Sequence, residues 1–346
     1  MPLYTYTIDH SEAWDKVVRS FSSYDVYYLS GYVKTFQIHG DGRPMLFYYE
    51  GTNSRGINVV MKRDIADDVF FADKIDRNVF FDFITPYGYS GWLIEGDYKN
   101  TELFSEYEKW CKENNIVSEF VRYHPILDNV SKSESFYDVV MLGNTISMDL
   151  SSADVIWNNL TSKNRNMVRK AQKSGVEIYH GNSKEIYDVF KKIYEDTMDS
   201  DNAGEYYYFK NEFYESIRND LVNESQIFWA EVEGKIIATS IMIYANGYMN
   251  YHLSGSVREY QFLAPSNLLL YEAALWGCNN GYRSLHLGGG VGSRQDSLYK
   301  FKSAFNRNKT NQFAIGKKIY LHDVYEKLTS MKMFDFESGF FPKYRA

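Results

Sequence analysis

Two dipeptides, Glu233-Gly234 and Asn246-Gly247, divide residues 227–255 into three runs, IFWAEV, KIIATSIMIYA and YMNYHLSG. A two-residue loop that tolerates positive φ closes an antiparallel hairpin and cannot carry the chain to a parallel neighbour. These residues are therefore expected to form a three-stranded antiparallel meander. Pro265 to Asn280 follows with Leu268, Tyr271, Leu275 and Cys278 at helical spacing and Gly281 as a stop, and then SLHLGG reads as another strand.

The residues before the meander add a strand, TISMDL, and Ser151-x-x-Asp154 as a capping box for a short helix. A basic helix over 162–174 ends at Gly175, VEIYH is a strand, and apolar spacing marks helices around 186–194 and 209–221. The first 142 residues show a related plan. MLFYYE and INVVMK flank Gly51-Thr-Asn-Ser as a hairpin, and VFFDFI runs into a Pro/Gly/Tyr turn. A helix over 101–114 then leads to the strand IVSEFVR. The fold class expected is mixed α/β, in two domains, 1–142 and 143–346.

With 346 residues, 44% hydrophobic, the chain is long enough for two real cores. A net charge of −7 argues against general nucleic-acid binding. Two distant cysteines, Cys111 and Cys278, form no disulfide framework or zinc knuckle, and seven scattered histidines without His-Glu-x-x-His argue against a metal enzyme. The N-terminus has no signal-peptide pattern and no apolar run reaches membrane-spanning length, so a cytoplasmic protein is expected. The 31 tyrosines suit clefts for sugars, bases or peptides as well as ordinary sheet packing.

Positive charge is concentrated in two windows. Residues 155–176 hold no Asp or Glu but contain Lys163, Arg165, Arg169, Lys170 and Lys173, with Arg165 and Arg169 on one helix face. Residues 297–322 are again free of acid and contain Lys300, Lys302, Arg307, Lys309, Lys317 and Lys318. Either window reads as a solvated face or as a place for an anionic ligand. The second begins just after the glycine run LHLGGG, where α/β sheets bind ligands. That run fits neither familiar phosphate loop. Counting from Gly288, the position that needs glycine holds Ser293, and Arg294 stands where a Walker loop needs Lys. Close backbone approach and chain reversal are the expected roles of the glycines.

The second half resembles the GNAT acyltransferase superfamily, and more closely its Fem-type aminoacyl transferases and FemAB-like acyltransferases. TSKNRNMVRKAQKSGVEIY (161–179), NLLLYEAALWGCNNGYRSLHLGGG (267–290) and SLYKFKSAF (297–305) carry the resemblance, with PYGYSGW (86–92) and FVRYHP (120–125) in the first half. It implies two tandem GNAT-like domains with an acceptor cleft between them. It also implies an acyltransferase moving an aminoacyl group from aminoacyl-tRNA to a free amine of a peptidoglycan precursor. The alternative is a CoA-dependent N-acyltransferase acting on an amino sugar or other small amine of surface polysaccharide synthesis. No tightly bound cofactor is implied; the partners are the anionic donor, tRNA or CoA, and a nucleotide- or lipid-linked precursor.

By the same resemblance Lys302 steadies the oxyanion, and Lys34 meets acceptor phosphates. Lys210 and Tyr214 stand where an Arg-x-x-x-Tyr substrate pair is found, with Lys lacking the arginine fork. Tyr87, Tyr89 and Tyr251 line the acceptor cleft, and Phe301 stands beside Lys302. Arg165, Arg169 and Lys300 face the donor. Gln261-Phe-Leu-Ala264-Pro-Ser266 occupies the place of the Gln/Arg-x-x-Gly-x-Gly/Ala pyrophosphate cradle; Gln261 and Ser266 fit, neither small residue is glycine, and Pro265 removes an amide.

Overall fold

The computed structural model describes residues 3–99, 101–308, 310–332 and 339–346; Lys309 of the second basic window lies outside them. The chain divides into two compact units, residues 1–142 with 313–346, and residues 143–312.

In the first unit β1 (Leu3–Tyr6), α1 (Ser11–Arg19) and α2 (Ser30–His39) precede the hairpin β2 (Arg43–Glu50) and β3 (Ser54–Asp64). β4 (Phe81–Ile84), β5 (Leu93–Gly96), α3 (Leu103–Glu113) and β6 (Ile116–Arg122) follow. β1, β2, β3 and β4 pair antiparallel in that order, β5 also pairs with β3, and β6 lies parallel to β4. Trp92, Leu103, Tyr107, Cys111 and Ile116, all fully buried, join α3 to the sheet. The apolar periodicity of α3 made it legible in sequence, whereas α2 was not foreseen. It buries Ser30, Gly31, Tyr32, Val33, Thr35 and Phe36 around most of its circumference, and such a helix carries no 3.6-residue alternation.

β7 (Asp138–Asp149) crosses into the second unit. There α4 (Ala153–Asn159), α5 (Ser162–Lys173), β8 (Glu177–Gly181), α6 (Lys184–Ser200) and α7 (Asn211–Asp220) lead to β9 (Ser225–Val232), β10 (Lys235–Ala245) and β11 (Tyr248–Ser256). The last three are the expected meander, with φ positive at all four turn residues. α8 (Pro265–Asn279), β12 (Ser284–Gly288) and α9 (Ser297–Ser303) complete the unit. Its strand order is β7-β12-β11-β10-β9-β8. Helix α4 is capped by Ser152, which accepts from Val155 N at 3.2 Å, rather than by Ser151.

β13 (Thr310–Ile319) and α10 (His322–Met331) correct the expected boundary, which gave residues 143–346 to one domain. β13 follows β12 in the chain but pairs antiparallel with β6, from Ile315 opposite Arg122 to Ile319 opposite Ser118. Tyr344 is fully buried with Ile65, Phe71, Val117 and Leu328 of the first unit. Arg345 Nε donates to Asp82 at 2.7 Å, and Arg63 Nε donates to the other oxygen of the same buried carboxylate at 2.7 Å. The second basic window is therefore divided between the units. Lys318 on β13 pairs with Glu108 of α3 at 3.5 Å, and Lys317 lies 5.9 Å from the Phe341 ring.

Candidate active site

β11 and β12 are hydrogen-bonded in parallel only from Tyr248–Asn250 to Ser284–His286, yet β11 continues to Ser256 and β12 to Gly288. The sheet opens beyond those pairs, at the carboxyl ends of two parallel strands, where α/β folds admit ligands. On the β10 side, Tyr251 faces Met242 while Leu253 faces Ile241, so His252 is the extra residue of a β-bulge. Burial holds the His252 imidazole at about 3, neutral at physiological pH.

Lys302 comes to this opening from α9. Asp296 caps that helix, accepting from Tyr299 N at 2.8 Å and Val291 N at 3.0 Å. The ammonium is buried, 9% exposed, and donates to Gly289 O at 2.9 Å. No other hydrogen bond or ion pair reaches it among the described residues, so two of its three N–H groups remain available. Burial lowers it from 10.5 to about 8, partly offset by the Asp296 carboxylate.

The glycine run is the floor of this lysine. Gly288 has φ +77°, and a Cβ there would stand 3.3 Å from Lys302 Nζ; at Gly290 a Cβ would stand 2.1 Å from Arg294 O. Only glycine fits this approach and turn.

On the face of the sheet opposite the main apolar cluster, a polar row crosses three strands. Ser147 of β7 lies opposite His286 of β12, which lies beside Asn250 of β11. All three are buried, and Asn311 Nδ2 donates to Ser147 Oγ at 2.8 Å. Their strand neighbours Ile146, Met148, Leu285, Leu287 and Met249 belong to the cluster on the other face. Sequence reasoning did not single out this row, His252 or Asp296. A single polar residue inside an apolar strand, as in SLHLGG, is the signal that marks the row.

The donor-side residues share one neighbourhood. Asn164 of α5, 1% exposed, accepts from Asn267 Nδ2 of α8 at 2.7 Å and donates to Ala304 O, just past α9, at 3.2 Å. The basic α5, the first turn of α8 and the end of α9 therefore meet there. Ala264, ahead of α8, adopts the left-handed conformation (φ 57°, ψ 44°) that glycine would supply, and Pro265 takes the first helical position, whose amide has no intrahelical partner in any case. Ser266 lies in that first turn, half-buried, and Gln261 is exposed, its Nε2 donating to Ser256 Oγ at 3.2 Å. Arg169 is exposed, 5.0 Å from the Trp157 ring, and Lys300 is exposed on α9. Arg165 is spent locally, on Leu160 O at 2.7 Å and Ser162 Oγ at 3.3 Å.

The acceptor-side residues are divided between the two units. Tyr251, at the opening, donates to Ser254 Oγ at 2.6 Å. Phe301 packs on the apolar cluster, 5.4 Å from the Phe305 ring. Lys210 is exposed ahead of α7, and Tyr214 is buried against Phe190, Phe209 and Phe213. α7 packs on β9, three strands from β12. In the first unit, Lys34 is half-buried on α2, Tyr87 stacks on Phe36 at 5.2 Å, and Tyr89 meets Tyr27, His124 and Phe313.

Residues 162–302 match the model of the acetyltransferase (GNAT) domain. No curated protein matches the chain. Among solved structures the chain is similar to FemX, with TM-score 0.68 at 13% identity, covering 94% of this chain and 99% of that one. It is also similar to a conserved protein of unknown function from Bacteroides thetaiotaomicron, with TM-score 0.59 at 10% identity over 92% and 100% of the two chains. A third is the C-terminal domain of a protein named as a lysylphosphatidylglycerol synthetase from Agrobacterium fabrum, with TM-score 0.56 at 13% identity over 92% and 95%. At these identities the likeness is one of fold. Among the described residues no helix is long and apolar enough to cross a membrane.

Proposed function

We propose, from the premise that this chain is a transferase whose second unit is a GNAT domain, that it moves an aminoacyl group onto a free amine. The donor is an aminoacyl-tRNA, and the acceptor is an amine of a peptidoglycan precursor. The amine nitrogen adds to the donor carbonyl carbon, whose oxygen takes the negative charge. Collapse breaks the bond to the carrier oxygen, which leaves with the proton lost by the amine, relayed by water. The observation that carries the reading is the buried Lys302 ammonium, with two free N–H groups, beside the opening between β11 and β12. A desolvated cation held there meets the developing oxyanion without reorganisation.

The acid-free helix α5 beside the first turn of α8 supports a phosphate-rich donor, and the Fem-type sequence motifs of 161–179, 267–290 and 297–305 support the choice of tRNA and precursor. A specific observation favours a second reading, acyl-CoA as donor. Ala264 supplies the left-handed turn of a pyrophosphate cradle although it is not glycine. Transfer of a labelled amino acid to a muropeptide amine that RNase abolishes is the expected result. Thiol release from acetyl-CoA with RNase-insensitive transfer selects the second reading, and neither activity from wild-type protein sinks both.

A further inference from the structure

The first unit contains an arginine with which no carboxylate pairs among the described residues. Arg122 ends β6, alongside the parallel strand β4, and its main chain is fixed on both sides. Its N–H donates to Thr85 Oγ1 at 2.8 Å and its carbonyl accepts from Ser90 N at 2.8 Å. The guanidinium is not fixed in this way. Nε is fully buried with no hydrogen-bond partner, and among the described residues no carboxylate pairs with the group. The Phe313 ring lies 5.7 Å from Cζ, the Tyr89 ring packs 5.7 Å from Phe313, and the guanidinium charge also acts on the Tyr27 and Tyr89 phenols. Asp25, of the same unit, is engaged by His124 Nε2 at 2.9 Å and Val26 N at 2.6 Å. Buried N–H groups of a charged fork are ordinarily satisfied, so the orphan Nε singles this guanidinium out.

We propose that Arg122 anchors an anionic group of the acceptor, a carboxylate or a phosphate, beside the packed rings of Tyr89 and Phe313. Assigning that anion to the acceptor rests on the acyl-transfer reading; the anion site does not. The half-buried guanidinium is a planar, bidentate donor, which suits a three-atom O–C–O or O–P–O edge. Lysine keeps the cation over Phe313 but lacks the fork, so R122K separates a stacking role from a binding role.

The test is a titration of the 15N-labelled full chain, reading the Arg122 Nε–Hε resonance, identified by its loss in R122K. Inorganic pyrophosphate and glutarate are the two probes. A saturable shift of that resonance with pyrophosphate assigns a phosphate anchor, and a shift with glutarate a carboxylate anchor; the response should persist in K302M. In steady-state transfer, R122Q is expected to raise the acceptor KM roughly tenfold or more, with kcat and donor KM nearly unchanged and R122K intermediate. Absence of any saturable shift with both anions overturns the proposal even if the protein transfers acyl groups. A shift in a protein that transfers nothing keeps the anion site and removes the acyl-transfer reading.

Discussion

Lys302 is held at a cost. Its fall from 10.5 to about 8 corresponds to about 3 kcal/mol of unfavourable burial of the charged form. A structural lysine would be replaced by something apolar at a gain, so the natural outcome of K302M is opposite in the two measurements. Turnover should fall about 10²–10³-fold, while the melting temperature at pH 7 should hold or rise. A K302M protein with near-normal turnover would remove the proposed role. The pH dependence has a definite sign. Between about 8 and 10.5 the unfolded chain binds the lysine proton and the folded chain does not, so wild-type stability should gain on K302M as pH rises through that window. Over the same range the oxyanion loses its cation, so kcat should fall above about pH 8. Asp296 raises the lysine while capping α9 through Tyr299 N and accepting from Val291 N ahead of it. D296A should therefore move that falling limb to lower pH and cost about 1–2 kcal/mol of stability in denaturant titration.

Among the elements, the first turn of α8 shows local shape overriding residue identity. Ala264 at φ 57° carries the strain of a left-handed non-glycine residue. A264G should stabilise the protein by about 0.5–1 kcal/mol, read as a higher urea midpoint; a loss of stability would mean the turn is held by something other than backbone preference. The meander and α8 were legible because each rests on local chemistry, turn glycines in one and a proline start with a glycine stop in the other. The same holds for α5, with Thr161 accepting from Asn164 N at 3.2 Å and Gly175 at φ 73°. What stayed hidden depends on partners far along the chain. The bulge at His252 arises from a mismatch between β10 and β11 that neither strand announces alone. The polar row of Ser147, His286 and Asn250 exists only once register sets three strands side by side. Lys302 was singled out through its motif, but its burial and its contact with the glycine run were not legible.

For the whole molecule, the division at residue 142 could be read from sequence, while the return of 313–346 to the first unit could not. Asp82 is the reason the return is secure. Burial alone would raise this carboxylate, but Arg63 and Arg345 more than offset it and hold Asp82 below the usual carboxylate range. Its stabilising contribution is therefore complete above the unfolded carboxylate value and is lost as pH falls through the depressed folded one. Removing the carboxylate strands two guanidinium groups, so D82A should destabilise the first unit by about 3–5 kcal/mol. Calorimetry should show its transition falling relative to that of residues 143–312, and an unchanged profile would mean the pair carries no load. The exchange of strands also has a consequence in time. On the ribosome, residues 143–312 emerge as a contiguous block, whereas β6 waits for β13 and Asp82 for Arg345, an interval of roughly ten seconds or more at ordinary elongation rates. The later stretch of the polypeptide can thus reach its native form first, leaving the earlier one with a bare sheet margin that invites chaperone attendance until β13 arrives.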